Sequence, residues 1–202
     1  MQFISFSSGS SGNCYLLRSS GGAFLLDAGL SPRKVKQYLS ACGLSLSDID
    51  AILITHDHTD HIKGAGLLAE ECGCPVYTTQ AVHEGMGRNY CMTRKVPASQ
   101  KHFIEKEVPF RLGDFTVTPF EVPHDSSDCV GYEIQCEDSV FTFITDVGHV
   151  TNASARRCRV PTIWSWRLTT MWRCSRWGLI RLTSRGASAA KGAIFPTRPE
   201  PV

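Results

Sequence analysis

The feature that most constrains this chain is a cluster of three histidines and two aspartates within six residues, His56 to His61 (HDHTDH). It directly follows the short apolar run 51–55 (AILIT), which predicts a buried strand. Because alternate side chains at a strand end point the same way, several of these groups can converge on one point. Imidazole nitrogen and carboxylate oxygen suit Zn²⁺ and also Mn²⁺ or Fe. The cluster therefore predicts a metal site, and its lack of thiolates favours an open, catalytic site over a structural one.

The composition favours one globular domain. The chain has 202 residues, 42% of them hydrophobic and 20% charged, which is enough to bury a core. Nine cysteines form no paired framework, so reduced thiols are expected, and Cys72-Gly73-Cys74 lacks the second pair of a zinc knuckle. No signal peptide and no apolar run of about 18 residues is present. We therefore expect a soluble, cytoplasmic protein that makes no membrane contact.

Apolar runs and turn residues predict interleaved strands and helices. Strands are expected at 3–6, 15–17, 24–26, 51–55, 75–78, 115–122, 130–136 and 140–145, and helices at 32–43, 61–72 and 80–87. Ser31 and Pro32 are expected to begin the first helix and Gly43 to end it. This order fits neither an all-β barrel nor a helical bundle, and it predicts a layered α/β fold.

Several motifs together carry a resemblance to a known family. The pattern H-x-H-x-D-H at 56–61 resembles the metal-binding motif of the metallo-β-lactamase superfamily, and the stretches 25–29 (LLDAG), 122–125 (VPHD) and 144–146 (ITD) resemble three further motifs of that family. With the loop 8–14 (SGSSGNC), the chain is most similar to the YycJ/WalJ branch, whose relatives include nucleases of the RNase Z and RNase J types. The resemblance covers residues 1 to about 153 and implies a four-layer αββα sandwich.

The resemblance also implies how the site is used. Two divalent metal ions are expected, with Zn²⁺ favoured over Mn²⁺ or Fe. By the family pattern, one ion would be bound by His56, His58 and His124, and the second by Asp60 and His61, with Asp146 bridging both. Asp27 would orient a ligand histidine through its free ring N–H. Asp60 and Asp146 are the candidate catalytic carboxylates, and the implied reaction is hydrolysis by a hydroxide activated between the ions.

The small-residue loop of Ser10, Ser11, Gly12 and Asn13 has two interpretations. Its backbone N–H groups can cradle a substrate phosphate, as small-residue loops do. A tight β-turn requires the same residue types. The sequence leaves both open.

Other residues near the motifs are given no direct role. His83 and His102 lie outside every motif and are predicted to be surface residues. Asp57 is predicted not to bind metal, because its side chain should point away from those of its neighbours, although it can assist the site indirectly. For His149, which closely follows Asp146, a solvated loop position is favoured over a metal ligand.

The last 49 residues differ from the rest of the chain. Residues 1–153 contain 11 Lys/Arg and 18 Asp/Glu, whereas residues 154–202 contain 10 and one, and no histidine, although the resemblance implies one more ligand there. A basic tail is often a nucleic-acid arm. However, codons 190–198 read from their third base permit Lys-Gly-x-His-Leu-Ser-Asn-Glu, which resembles the missing family motif. We therefore expect 154–202 to be a frameshift product that replaces the end of the domain 1–153.

Three functions are compatible with these observations. The leading prediction is a two-metal hydrolase that cleaves nucleic-acid phosphodiesters in the manner of an exonuclease, although fold analogy alone carries this substrate. One alternative is a hydrolase of a small ester, thioester, lactone or cyclic nucleotide. The other is a non-catalytic metal-binding module, which the missing histidine favours.

Overall fold

The computed structural model describes residues 1–148 and the backbone of two further strands, Thr170–Ser175 and Gly178–Thr183, which pair as an antiparallel hairpin. The boundary expected at residue 153 and His149 lie outside the described residues, and the frameshift therefore stays a prediction.

The first sheet of the described domain contains six strands in chain order. These are β1 (Gln2–Ser7), β2 (Cys14–Ser19), β3 (Gly22–Ala28), β4 (Ala51–Leu53), β5 (Val76–Thr78) and β6 (Lys101–Phe103). Strands β1 to β3 form an antiparallel meander, and β3 to β6 run parallel.

Four helices connect the parallel strands, as parallel pairing requires a crossover between strands. They are α1 (Pro32–Ala41), α2 (Thr59–Ile62), α3 (Ala65–Cys72) and α4 (Gln80–Arg88). One face of the sheet packs against these helices, where Leu25 and Ile52 share a core with Val35, Leu68 and Val82. Helix α1 begins at Pro32 with Ser31 at its N-cap, as predicted.

A second sheet covers the opposite face of the first. Its four antiparallel strands lie in the order β10-β9-β8-β7. They are β7 (Phe110–Leu112), β8 (Phe115–Glu121), β9 (Val130–Cys136) and β10 (Ser139–Phe143). The rings of Phe24 and Phe115 meet edge to face between the sheets, with centroids 5.0 Å apart. The layered α/β prediction is confirmed, and the described residues supply the helix, sheet and sheet layers of the expected sandwich.

The prediction of a single helix over 61–72 is wrong, because α2 ends at Ile62 and α3 begins at Ala65. Gly64 donates its backbone N–H to the carbonyl of Ala28 over 2.8 Å. A Cβ on Gly64 would lie 1.9 Å from the carbonyl oxygen of Leu30, so the chain passes there too closely for any side chain. This contact places α2 against the end of β3.

The other differences are at strand ends. Strand β4 ends at Leu53 and β10 at Phe143, each two residues before its predicted end. Strands β6 and β7 were not predicted, because three residues are too few to show an alternating pattern. The seven cysteines of residues 1–148 are free thiols. Of the helices described, none is long and apolar enough to cross a membrane.

Candidate metal centre

The candidate ligands meet where β3 and β4 reach their carboxyl ends, the edge at which open α/β sheets commonly bind ligands. Asp27 is the second-last residue of β3, and the chain leaving β4 reaches His56, which forms an isolated bridge with Cys129. His58 is the N-cap of α2. The HDHTDH segment thus turns from a strand into a helix, and that turn brings its histidines together.

Two groups of three ligand atoms form within this cluster, and His56 belongs to both. The first is His56, His58 and His124, and the second is His56, His61 and Asp146; in each, the ligand atoms lie within 4.8 Å of one another. His124 and Asp146 follow strands β8 and β10 of the second sheet. The cluster is therefore assembled from both sheets.

The surroundings of His56 show whether the cluster fits a cation. It is fully buried, and its Nε2 has no hydrogen-bond partner among the described residues. The hydroxyl of Thr55 donates to Asp27, so it accepts from His56 Nδ1 over 2.9 Å, and this leaves the lone pair on Nε2. Burial, followed by the nearby His61, lowers the pKa of His56 and keeps the ring neutral. A buried nitrogen left without a partner costs about 1–3 kcal/mol, and a divalent cation would remove that cost.

His61 is held between two carboxylates. Its Nδ1 lies 2.7 Å from Oδ2 of Asp27, and its Nε2 lies 2.8 Å from Oδ2 of Asp146. Burial opposes protonation of His61, but Asp27 and Asp146 outweigh burial and raise the pKa of His61 to about 10. A cation bound at Nε2 would have to displace a proton.

Asp27 is buried and has an unusual backbone conformation. Its Oδ1 accepts the backbone N–H of Thr55 over 2.9 Å as well as the Thr55 hydroxyl, and its φ is 57°. A residue other than glycine rarely adopts a positive φ, and such strain concentrates at functional sites. Sequence reasoning misses Thr55, whose only signal is its place directly before His56 at the strand end.

Asn13 contacts this buried half of the cluster. Its Nδ2 lies 3.0 Å from Oδ2 of Asp60 and 2.8 Å from Nε2 of His61. Its Oδ1 accepts the N–H of Gly9 over 2.9 Å, which fixes which end of the amide faces the site. The side chain therefore presents a donor to the carboxylate of Asp60.

The backbone of the loop 10–13 is used within the protein. Gly12 donates its N–H to the carbonyl of Gly9, and Asn13 donates its N–H to the carbonyl of Asp60. Ser10 and Ser11 occupy the turn itself. Of the two interpretations of this loop, these hydrogen bonds favour the tight turn.

Asp60 belongs to neither ligand group in the described part of the chain, and its Oδ2 lies 3.7 Å from Nε2 of His61. Asp57 points elsewhere, as its carboxylate accepts the N–H of Ser127 over 3.2 Å and the Ser127 hydroxyl over 2.5 Å. The ligand role of Asp60 is taken up below as a proposal.

The prediction for His83 is wrong. It is only 2% exposed, its ring packs against Phe103, and its Nε2–H donates to the carbonyl of His102 over 3.2 Å. The cause is α4, which turns His83 towards β6. His102 itself is exposed, as predicted.

One side of the cluster opens to solvent through a cavity of about 450 Å³. It is lined by His58, His124, Asp125, Asp146, Val147 and Gly148. His124 Nε2 lies 3.2 Å from His58 Nδ1, and burial together with His58 lowers the pKa of His124. A substrate can therefore reach the three-histidine group, whereas His61 is enclosed.

Comparisons with known proteins agree with this geometry. The family model described as the beta-lactamase superfamily domain matches residues 23–193. Over 148 residues the chain is 38% identical to the protein named exodeoxyribonuclease WalJ of Streptococcus pneumoniae serotype 2, a match that covers 73% of this chain and 55% of that protein. It is 31% identical over 152 residues to exodeoxyribonuclease YycJ of Bacillus anthracis, covering 75% and 56%. The chain thus spans about half the length of these curated relatives.

Solved structures agree on the fold. A metallo-beta-lactamase of Cronobacter sakazakii superposes with a TM-score of 0.62 at 18% identity, covering 81% of this chain and 76% of that one. MEM-A1, a subclass B3 metallo-beta-lactamase from a soil metagenome library, gives a TM-score of 0.58 at 20% identity, covering 72% and 63%. At these identities the likeness concerns the fold alone.

Proposed function

This chain belongs to the beta-lactamase superfamily, and on that premise we propose that it is a metal-dependent hydrolase that cleaves phosphodiester bonds of DNA from a strand end. The observation that carries the proposal is the pair of ligand groups that share His56. The choice of DNA is supported by the relatives named exodeoxyribonucleases.

We assign two divalent cations to the site. His56, His58 and His124 would hold the first, and Asp60 and His61 would hold the second. Asp146 would serve both, an assignment supported by its Oδ2 lying 3.5 Å from His56 Nε2 and 2.8 Å from His61 Nε2. Nitrogen and oxygen donors suit Zn²⁺ best, with Mn²⁺ or Fe as alternatives.

Neither ligand group of the described residues contains a thiolate. Cys129 lies beside His56, but burial, followed by the nearby Asp27, raises the pKa of its thiol, which stays protonated. A protonated thiol is a poor metal ligand. The donor set is therefore that of an open catalytic site.

Divalent cations, when bound, supply Lewis acidity that stabilises charge on a phosphoryl oxygen and lowers the pKa of water. The residues of the chain orient that chemistry. Asp27 holds the ring of His61 so that Nε2 faces Asp146, and the amide of Asn13 directs the carboxylate of Asp60 to the same place. A phosphodiester enters through the cavity lined by His58 and His124.

Cleavage of labelled oligonucleotides tests the proposal. DNA and RNA, single- and double-stranded, are incubated with the protein and Zn²⁺ or Mn²⁺, with and without a chelator. We expect DNA to be shortened stepwise from an end, and the chelator to stop the reaction.

Two histidine variants separate the site from the surface. His58→Ala should abolish turnover, whereas His102→Ala, which changes an exposed histidine away from both ligand groups, should retain it. Unchanged turnover in His58→Ala would refute a metal-dependent enzyme. Hydrolysis of esters, thioesters, lactones or cyclic nucleotides without any DNA cleavage would assign a small-molecule substrate instead.

A further inference from the structure

The segment that follows α4, residues 89–96, displays an unusually exposed aromatic ring, and we call this segment the Tyr90 loop. Tyr90 is 92% exposed, against 63% for Phe103, the next most exposed large apolar side chain of the described residues. A single exposed ring is ordinary on protein surfaces. This ring is unusual because contacts on both sides of it fix the loop that carries it.

The loop is tied to the metal-binding motif at its start. The side-chain amide of Asn89 donates to the carbonyl of Asp57 over 3.3 Å and to the hydroxyl of Thr59 over 3.2 Å. These two residues alternate with His56, His58 and Asp60 along the chain. Tyr90, the next residue after Asn89, therefore directly follows a contact with the segment that carries these ligands.

The rest of the loop is also fixed. Met92 and Val96 are 2% and 6% exposed in the helix-side core, and Lys95 Nζ donates to the carbonyls of Met86 and Asn89. A Cβ on Gly66 would lie 2.1 Å from the carbonyl oxygen of Arg94, so the loop lies directly on α3. A backbone held at both ends presents Tyr90 at little further cost in conformational entropy.

The sequence segment that contains Tyr90 is basic, whereas the domain as a whole is acidic. Between Glu84 and Glu105 the chain carries four basic residues and no acidic one, namely Arg88, Arg94, Lys95 and Lys101. Residues 1–153 as a whole carry 11 basic and 18 acidic residues, which repel a polyanion. Arg94 Nε lies 3.3 Å from Oε2 of Glu70, so part of this charge is already paired. Arg88 is exposed and belongs to no ion pair of the described residues, and it can therefore meet a nucleic-acid phosphate directly.

We propose that the Tyr90 loop binds the single-stranded part of a nucleic-acid substrate, a proposal that rests on the proposed function. Tyr90 stacks on an unpaired base, and Arg88 contacts a flanking phosphate. Stacking on an aromatic ring tolerates any base, which suits an enzyme that degrades a strand stepwise. A base inside a duplex is already stacked on its neighbours and offers no free face to the ring.

Binding without cleavage tests this directly. A fluorescently labelled single strand of about 12 nucleotides is titrated with chelated protein, and its anisotropy is measured. We expect Tyr90→Ala to weaken binding about tenfold and Tyr90→Trp to preserve it. Tyr38→Ala is the matched control, because Tyr38 is 41% exposed on α1, and it should bind like the unaltered protein.

A small substrate distinguishes a lost contact from a damaged centre. Tyr90→Ala loaded with metal should hydrolyse bis-p-nitrophenyl phosphate at an unchanged rate, because that molecule reaches only the cavity. Oligonucleotide binding by Tyr90→Ala as tight as that of the unaltered protein would overturn the loop proposal and leave the nuclease proposal standing. Absence of oligonucleotide binding and cleavage by the unaltered protein would overturn both.

Discussion

The metal centre has two unlike halves that share His56. In the enclosed half, His61 is 1% exposed and lies within 2.8 Å of carboxylate oxygens of Asp27 and Asp146. In the open half, His58 and His124 line the cavity and turn ring nitrogens towards each other at 3.2 Å. Two buried carboxylates hold the first half together, whereas the carboxylate that contacts the second half, Asp125 Oδ1 at 3.0 Å from His124 Nδ1, is exposed to solvent.

This difference indicates that the two halves have different roles. A buried ion pair with several hydrogen bonds keeps its geometry without a ligand, provided that both partners are present. Imidazoles that line a cavity leave room for a substrate but would gain their order from a metal. The enclosed half should therefore govern folding stability, and the open half should govern metal loading and substrate entry.

The largest effect is expected on removal of Asp27. Asp27→Ala leaves His61 Nδ1 and the Thr55 amide without their acceptor inside the protein, and should lower the free energy of unfolding by about 3–5 kcal/mol. His124→Ala should lower it by about 1 kcal/mol or less. Urea denaturation of chelated protein, followed by circular dichroism, measures both. Equal losses in the two variants would erase the distinction between the halves.

Metal addition should have the next largest effect. At a free Zn²⁺ concentration of about 100 times Kd, the folded state gains about 2.7 kcal/mol, which raises Tm by roughly 5–10 °C. His124→Ala should remove most of this shift, because the open half then has only His58 and the shared His56. A thermal melt with and without Zn²⁺ is the measurement, and an undiminished shift in the variant would argue against His124 as a ligand.

Asn13 should have a smaller effect on the enclosed half. Asn13→Ala removes the donor to Asp60, and should weaken metal binding about tenfold, the lower end for residues that support a ligand. Ser10→Ala, in the same loop but exposed, should leave the affinity unchanged. Competition with a chromophoric chelator gives both constants. A loss in Ser10→Ala equal to that in Asn13→Ala would assign the effect to the loop and not to the amide.

The smallest effect is expected at a surface ion pair of similar length. Lys36 Nζ and Glu71 Oε2 are 2.6 Å apart, but their side chains are 57% and 37% exposed. Lys36→Ala should lower the free energy of unfolding by less than about 1 kcal/mol, because water screens the pair. The same urea experiment checks this, and a loss as large as that in Asp27→Ala would show that separation matters more than burial.

The outline of the fold could be predicted, because it depends on local patterns, and five of the six candidate ligands, all but Asp60, fall into the two groups of the described residues. The strand–cluster–helix order of residues 51–61 fixes which side chains can share a point, and short motifs identify His124 and Asp146 by resemblance. The break at Gly64 and the burial of His83 could not be predicted. Each depends on a neighbouring segment distant in sequence, the carbonyl of Leu30 in one case and β6 in the other.

The sequence by itself determined that a dense set of imidazoles and carboxylates follows a buried strand, because periodicity and composition act over a few residues. Only the tertiary structure decided which half is enclosed. His58 and His124 are 66 positions apart, and Asn13 and His61 are 48 apart. Sheet packing and close backbone contacts set the distances in space between these side chains. No local sequence pattern predicts such distances.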